Sequence, residues 1–337
     1  MIFQNLFLNN FRNFDVKKFE WSNKINLITG KNGSGKTNLL ESFSILSGWG
    51  AFGKIKDIIN WNMNQNKTLL SAKILGEQSF SNSLINAKIS SQIALKLDEK
   101  KISCTELRLV IPSISFSTES VNLIDGSPSI RRIFIDKLCA LFFPAFAKKL
   151  AEFKIISRNR TALLKQGRPV NITSIPFCKL GGWIMEARRK VISQFSQNNL
   201  YSIRILPEIN NISHEEFLLN ELKKFSEKER YALRPLAGPN YDDLQITINS
   251  RPATIALSRG QKRRLILSLI INAGNIIKNN LKKNPVLFFD DLTAELDSDA
   301  RNWCFEQLLK TGWQCFITSP ENNFPQKNNY RIIQIGN

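Results

Sequence analysis

Residues 30–37 read GKNGSGKT, and what lies on either side of them limits the fold more than anything else in the chain. The preceding run, KINLITG (24–30), is apolar and β-branched and ends in glycine, as a buried strand should. The following run, KTNLLESFSILSG, places Leu39, Leu40, Phe43 and Leu46 at helical spacing, with Gly48 as a stop signal. A glycine-rich turn between a buried strand and a helix satisfies the phosphate-cradling pattern G-x-x-x-x-G-K-[ST] in the context that gives it meaning. The pattern predicts that Gly30, Gly33 and Gly35 bend the backbone, so that the amides of Lys31, Asn32, Ser34 and their neighbours face phosphate oxygens. Lys36 is placed to reach the β- and γ-phosphates and Thr37 to ligate Mg²⁺. A chance glycine-rich turn is the bland alternative, and both flanks argue against it.

Such a cradle calls for a distant apolar strand ending in a carboxylate. VLFFDD (286–291) supplies it. Asp290 is the Mg²⁺-side candidate, and Asp291 is the candidate to orient or deprotonate the attacking water. Consecutive acids after a strand also serve as helix caps or solvated turns. Here the pairing with the cradle favours the catalytic reading.

Composition narrows the partners. The net charge of +19 points to a polyanion, with nucleic acid ahead of an anionic membrane. AT-biased coding also adds lysines, but it explains clustering poorly. Residues 151–190 hold nine Lys/Arg against two acids, and 254–283 hold seven against none. No apolar run is long enough to span a bilayer, and the N-terminus lacks the pattern of a secretory signal. Five cysteines without a CxxC pair fit reduced, mostly buried thiols in the cytoplasm. The single histidine, His214, makes His-based metal sites and triads improbable and reads as a surface residue.

Along the chain, 68–111 alternate as short antiparallel strands with a turn at DEKK (98–101). From about 130 to 235 the period is helical, until RPLAGPNYDD (234–243) breaks it. Strand signals return in LQITINS, followed by a helix from 259 to about 278 and by strands at 285–291 and 314–319. The fold expected is α/β, with a head made from both ends of the chain (1–125 and 236–337) and an inserted helical lobe (126–235).

LSRGQ (257–261) resembles the signature motif of ABC-type ATPases, and AELD (294–297) resembles their D-loop. Within that superfamily, FRNF (11–14), GKNGSGKTNLLES, GSPSIRRIFID (126–136), RNRTALLK (158–165), PLAGPNYDDLQI (235–246), LSRGQKRRL and FFDDLTAELD resemble the RecF family, in its order and across nearly the whole chain. There is no long coiled coil and no zinc-hook CxxC, as SMC and Rad50 relatives would have.

The resemblance implies an ABC-type P-loop ATPase head that binds ATP and Mg²⁺. Ser258, Gly260 and Gln261 would face the γ-phosphate held by a second copy, so that ATP joins a homodimer. It further implies a cytoplasmic protein that holds DNA at gaps or junctions and works with the RecO and RecR mediators to help RecA. Basic residues available for duplex phosphates are Arg131, Arg132, Arg158, Arg160, Lys165, Lys262, Arg263 and Arg264; each alone could be a solvated helix face. Arg12 is a candidate to approach the nucleotide. The sequence departs from transporter ATPases at Asp291, where they carry Glu, and at Thr318–Ser319, where they carry a switch histidine; no Q-loop glutamine is identifiable in 111–120. A non-hydrolysing nucleotide-sensing scaffold and a transporter ATPase subunit remain the alternatives.

Overall fold

The computed structural model describes residues 1–59, 67–76, 82–116, 122–195, 201–291, 298–320 and 330–336. The chain divides into two compact units, Met1–Val121 with Arg259–Asn337, and Asn122–Ser258.

The first unit opens with strands β1 (Ile2–Phe11), β2 (Phe14–Glu20) and β3 (Ile25–Thr29), then helix α1 (Lys36–Leu46). Strands β4 (Thr68–Leu75), β5 (Asn82–Ile89), β6 (Ile93–Leu97) and β7 (Lys100–Lys101) follow, with helix α2 (Cys104–Val110) and strand β8 (Ser113–Phe116). The β6–β7 turn falls at Asp98 and Glu99, both left-handed, inside the stretch expected to turn. Residues 104–110 are helical where a strand was expected. Ser103 and Glu106 form a reciprocal capping box, which satisfies two orphan amide donors and starts the helix.

The second unit holds α3 (Pro128–Phe142), α4 (Phe146–Lys165), α5 (Asn171–Ile192), β9 (Ser202–Leu206), α6 (His214–Lys224) and α7 (Ser226–Ala232). It ends with β10 (Asp243–Ile248), β11 (Arg251–Pro252) and the short α8 (Ala253–Ala256). The chain then returns to the first unit as α9 (Arg259–Leu281), β12 (Val286–Phe289), α10 (Ser298–Thr311), β13 (Cys315–Ser319) and β14 (Tyr330–Gln334).

Two sheets build the first unit. One is antiparallel, in the order β2-β1-β4-β5-β6-β7; the other, β14-β3-β13-β12-β8, is parallel throughout. Helix α1 packs against strands of both. Its Phe43 ring lies 4.8 Å from Phe3 of the antiparallel sheet, and 5.5 and 4.3 Å from Phe288 and Phe316 of the parallel one. Removing a ring so enclosed costs about 3–5 kcal/mol. Gln314 adds a polar tie between the sheets. Its side-chain amide pairs with both the N–H and the carbonyl of Phe3, at 2.8 and 2.7 Å, as a strand neighbour would.

The boundary expected at 235/236 lies instead at 258/259. β10 pairs antiparallel with β9, from Asp243 opposite Leu206 to Thr247 opposite Ser202, and α3 packs on it. The inserted unit is therefore not wholly helical; β9–β11 form a sheet inside it.

Buried arginines hold that unit together. Arg160 donates to Glu229 at 2.7 Å, and both side chains are nearly inaccessible. The second oxygen of Glu229 accepts from the Leu236 amide. Arg188 makes a bidentate pair with Asp136 and also reaches Asp242, while Arg189 takes the other Asp242 oxygen. Breaking a buried pair from one side strands a charge, a loss of about 3–5 kcal/mol. Glu229→Ala is accordingly expected to lower unfolding free energy by about that amount in a urea titration, with Arg160→Met plus Glu229→Met recovering most of it. Equal losses in the single and double variants would show that the charge is not what the pair protects.

Candidate nucleotide site

The residues expected to act together converge at the carboxyl ends of β3, β12 and β13, where ligands bind in parallel α/β sheets. β13 lies between the other two strands. The cradle therefore leaves β3 on one side of it and Asp290 leaves β12 on the other.

Residue 35 must be glycine on two counts. Its φ is +102°, and a Cβ there would sit 2.5 Å from the Asn13 side chain. That asparagine, from the β1–β2 turn, donates to the Ser34 carbonyl at 3.0 Å and accepts from Asn38 at 2.8 Å, bracing the loop from outside. Lys36 is buried, and its ammonium rests on the carbonyls of Gly30 and Lys31, at 2.7 and 3.0 Å, with no carboxylate bonded to it among the described residues. The Ser34 hydroxyl is buried and lacks a hydrogen-bond partner. An uncompensated ammonium, an orphan hydroxyl and the opening turn of α1 suit phosphate oxygens. Lys31, Asn32 and Gly33 are exposed beside them.

The Thr37 hydroxyl lies 3.1 Å from both oxygens of Asp290. Thr318 donates to the same carboxylate at 2.8 Å and accepts from the Asp291 amide at 2.9 Å. A hydroxyl beside a carboxylate gives hard oxygen donors of the kind Mg²⁺ takes alongside water and phosphate. Among the described residues, no group of three or more His, Cys, Asp or Glu is gathered that could hold a metal alone.

Asp291 adopts the left-handed region, at φ +53°, and one of its oxygens is buried without a partner. Burial and then the neighbouring Asp290 hold its carboxyl above the ordinary aspartate range, with Lys36 pulling the other way. A partly desolvated carboxylate with a free oxygen is suited to accepting a proton.

Ser258 is the last residue of the second unit, and α9 begins at Arg259. Ser258, Gly260 and Gln261 are all exposed. The D-loop candidate AELD (294–297) lies outside the described residues.

Several expectations need correction. Arg12 clamps Glu41 of α1 through two bonds of 2.8 and 2.9 Å and donates to the Asp57 carbonyl. Glu41 in turn accepts from the Phe52 amide. Arg131 makes a bidentate pair with Asp243, Arg132 donates to the Asp242 carbonyl, and Arg160 is buried with Glu229. Arg131 and Arg160 are structural, because their guanidinium groups are already paired with carboxylates inside the unit, whereas Arg132 spends one donor on a main-chain carbonyl. Arg158, Lys165 and Arg264 are exposed, whereas Lys262 and Arg263 are half-buried; Arg264 lies over the Trp303 ring. His214 is no plain surface residue. Its ring is half-buried with Nε2 unpartnered, and burial, then Arg189, lowers its pKa. All five cysteines are free, and all but Cys104 are buried.

Asn13 and Thr318 escaped the sequence reading. Asn13 stood beside Arg12 in FRNF, and Thr318 registered only as the absence of a histidine.

A glycine cradle after one parallel strand, opposed by Asp290 and Asp291 after another, is the arrangement of a P-loop ATPase head. The family described as RecF/RecN/SMC N terminal domain matches residues 2–335. Over 332 residues the chain is 32% identical to the DNA replication and repair protein RecF of Clostridium botulinum, covering 92% of this chain and 90% of the relative. It is 27% identical to the RecF of Tropheryma whipplei, over 97% of this chain and 93% of that one. A solved structure described as the recombination mediator protein RecF-ATP in RecFOR pathway superposes with a TM-score of 0.83, at 23% identity over 99% of this chain and 95% of that one. An SMC head bound to a winged-helix domain of ScpA gives 0.54, at 15% identity over 95% of this chain and 90% of that one. The chain belongs to the RecF family.

The raised pKa of Asp291 has a thermodynamic sign. Folding favours its protonated form, so stability is lost as pH rises from the ordinary aspartate range through the raised value. Asp291→Asn is expected to melt at a higher temperature than wild type at neutral pH, the gain vanishing below the ordinary aspartate range. A lower melting temperature at neutral pH would contradict this assignment.

Proposed function

We propose that this RecF-family protein of DNA replication and repair is an ATP-dependent DNA-binding protein with slow, DNA-stimulated ATP hydrolysis, working as a dimer that nucleotide joins. The observation that carries the reading is Gly260. It sits in the first turn of α9 with ordinary helical backbone, and a Cβ there would meet nothing within 4 Å. Glycine in a helix is less favourable than alanine by up to about 1 kcal/mol, and among the described residues nothing requires it here. Its use lies outside the chain, in the close approach of another surface. With Ser258 and Gln261 exposed beside it, that surface is the triphosphate seated in a second copy.

In this reading Lys36 exchanges its loop carbonyls for phosphate oxygens. Thr37 and Asp290 would hold Mg²⁺, which when bound neutralises charge on the β- and γ-phosphates. Asp291 orients the attacking water and takes its proton as the terminal phosphate is transferred. Thr318 keeps both aspartates in place.

The DNA reading rests on the relatives' role and on Lys262, Arg263 and Arg264 at the start of α9, which would contact phosphates without reading bases. Arg158 and Lys165 lie instead on α4, the helix that carries the exposed Ile155. Action at gaps with RecO and RecR, in support of RecA, follows from the resemblance. A solved relative is described as part of the RecFOR pathway. No helix among the described residues is long and apolar enough to cross a membrane, in keeping with a cytoplasmic role.

Sedimentation with a slowly hydrolysed ATP analogue tests the proposal. Wild type is expected to dimerise. Gly260→Ala is expected to melt at a higher temperature as a monomer yet dimerise at least about tenfold more weakly, a loss of about 1.4 kcal/mol. Wild type that stays monomeric, or Gly260→Ala that dimerises normally, would remove the mechanism.

A further inference from the structure

Three isoleucines of the second unit lie in water: Ile172 is 83% exposed, Ile175 72% and Ile155 53%. Single exposed apolar residues are ordinary, but these three share one helical hairpin, α4–α5, and Ile172 lines a cavity there. The cavity measures about 480 Å³ and is lined by Ile156, Ala162, Leu163 and Pro176, with Asn159 and Gln166 offering amides. On α4 the lining residues 156, 159, 163 and 166 recur at three and four, the spacing of one helix face.

The charges within the hairpin's own run have one sign. Between residues 153 and 185 the chain contains no Asp or Glu. Arg158, Lys165, Arg168 and Lys179 are exposed there, while Arg160 is buried against Glu229. Duplex DNA would use the cations but would leave the isoleucines in water, since phosphate contacts give apolar side chains nothing to cover them. An apolar stripe flanked by carboxylates satisfies both.

We infer that the α4–α5 groove docks an acidic amphipathic helix from a partner protein, its apolar face against Ile155, Ile172 and Ile175 and its carboxylates toward Arg158, Lys165, Arg168 and Lys179. This is helix-in-groove recognition, in which apolar anchors give affinity and surrounding charge gives orientation and rate.

The probe is a fluorescein-labelled helical peptide of about 15 residues, with leucines at i, i+3, i+4 and i+7 and glutamates elsewhere. It is titrated against the full chain by fluorescence anisotropy, beside a scrambled peptide of the same composition and a short DNA duplex. The patterned peptide is expected to bind saturably, at least about tenfold more tightly than the scrambled one. Ile172→Ser with Ile175→Ser is expected to remove at least about tenfold of that affinity while leaving duplex binding and the melting temperature unchanged. Arg168→Glu with Lys179→Glu is expected to weaken the peptide and to abolish its salt dependence.

No saturable binding would overturn the inference, as would equal affinity for both peptides or an unchanged affinity in the serine variant. A serine variant that loses duplex affinity would assign the groove to DNA. One that loses concentration-dependent self-association without peptide would assign it to a second copy. Either result replaces the proposal.

Discussion

One carboxylate joins the parts of this molecule that must act together. Asp290, at the end of β12, accepts from Thr37 at the start of α1 and from Thr318 at the end of β13. The three residues come from opposite ends of the chain, 253 positions apart for Thr37 and Asp290. Their meeting depends on α1 being held between the two sheets, and the Phe43 ring among Phe3, Phe288 and Phe316 holds it there. The cradle is thus attached to a core that both ends of the sequence must complete. In water a hydroxyl–carboxylate hydrogen bond is weakly favourable. Behind a buried strand end it is stronger, and it fixes where an ion and a phosphate can sit.

What the sequence made legible was local. A strand, a glycine turn and a helix in succession define the cradle without knowledge of the rest, and VLFFDD announces itself by apolarity and terminal charge. Long-range partnership was not legible. Nothing in the spacing tells whether Arg131 faces water or Asp243, 112 residues away. The same holds for Arg160 and Glu229, which are separated by 69. The boundary at 258 was obscured because β10 looks like the returning head and only its pairing with β9 shows otherwise. Thr318 could not be weighed because a threonine at a strand end is ordinary until two aspartates are found beside it.

The stretches GSPSIRR and GPNYDD, which resemble the RecF family more specifically than the ATPase motifs do, turn out to be partners of one another, and RNRT is a partner of the unit around it. Arg131 and Arg132 meet Asp243 and Asp242, Arg188 and Arg189 share Asp242, and Arg160 takes Glu229. Motif specificity here reflects the cost of burying guanidinium groups, most of which take a particular carboxylate while Arg132 takes a main-chain carbonyl. The surplus of positive charge is consequently less available for a polyanion than the net value of +19 suggests. Exposed cations remain on both units, Lys17, Lys18, Lys100 and Lys101 on the antiparallel sheet and Arg158, Lys165 and Lys179 on the α4–α5 hairpin among them.

In the dimer proposed above, each triphosphate is held by the cradle of one chain and completed by the signature of another. Mixing two disabled variants tests it most directly. Lys36→Ala lacks the cradle's ammonium but keeps Ser258, while Ser258→Arg keeps the cradle but cannot present its own signature. Each alone is expected to lack ATP turnover. Mixed, they are expected to regain it, because one of the two pockets in the mixed dimer then combines an intact cradle with an intact serine. A mixture as inactive as its parts, or a Ser258→Arg protein that hydrolyses ATP unaided, would contradict the shared site.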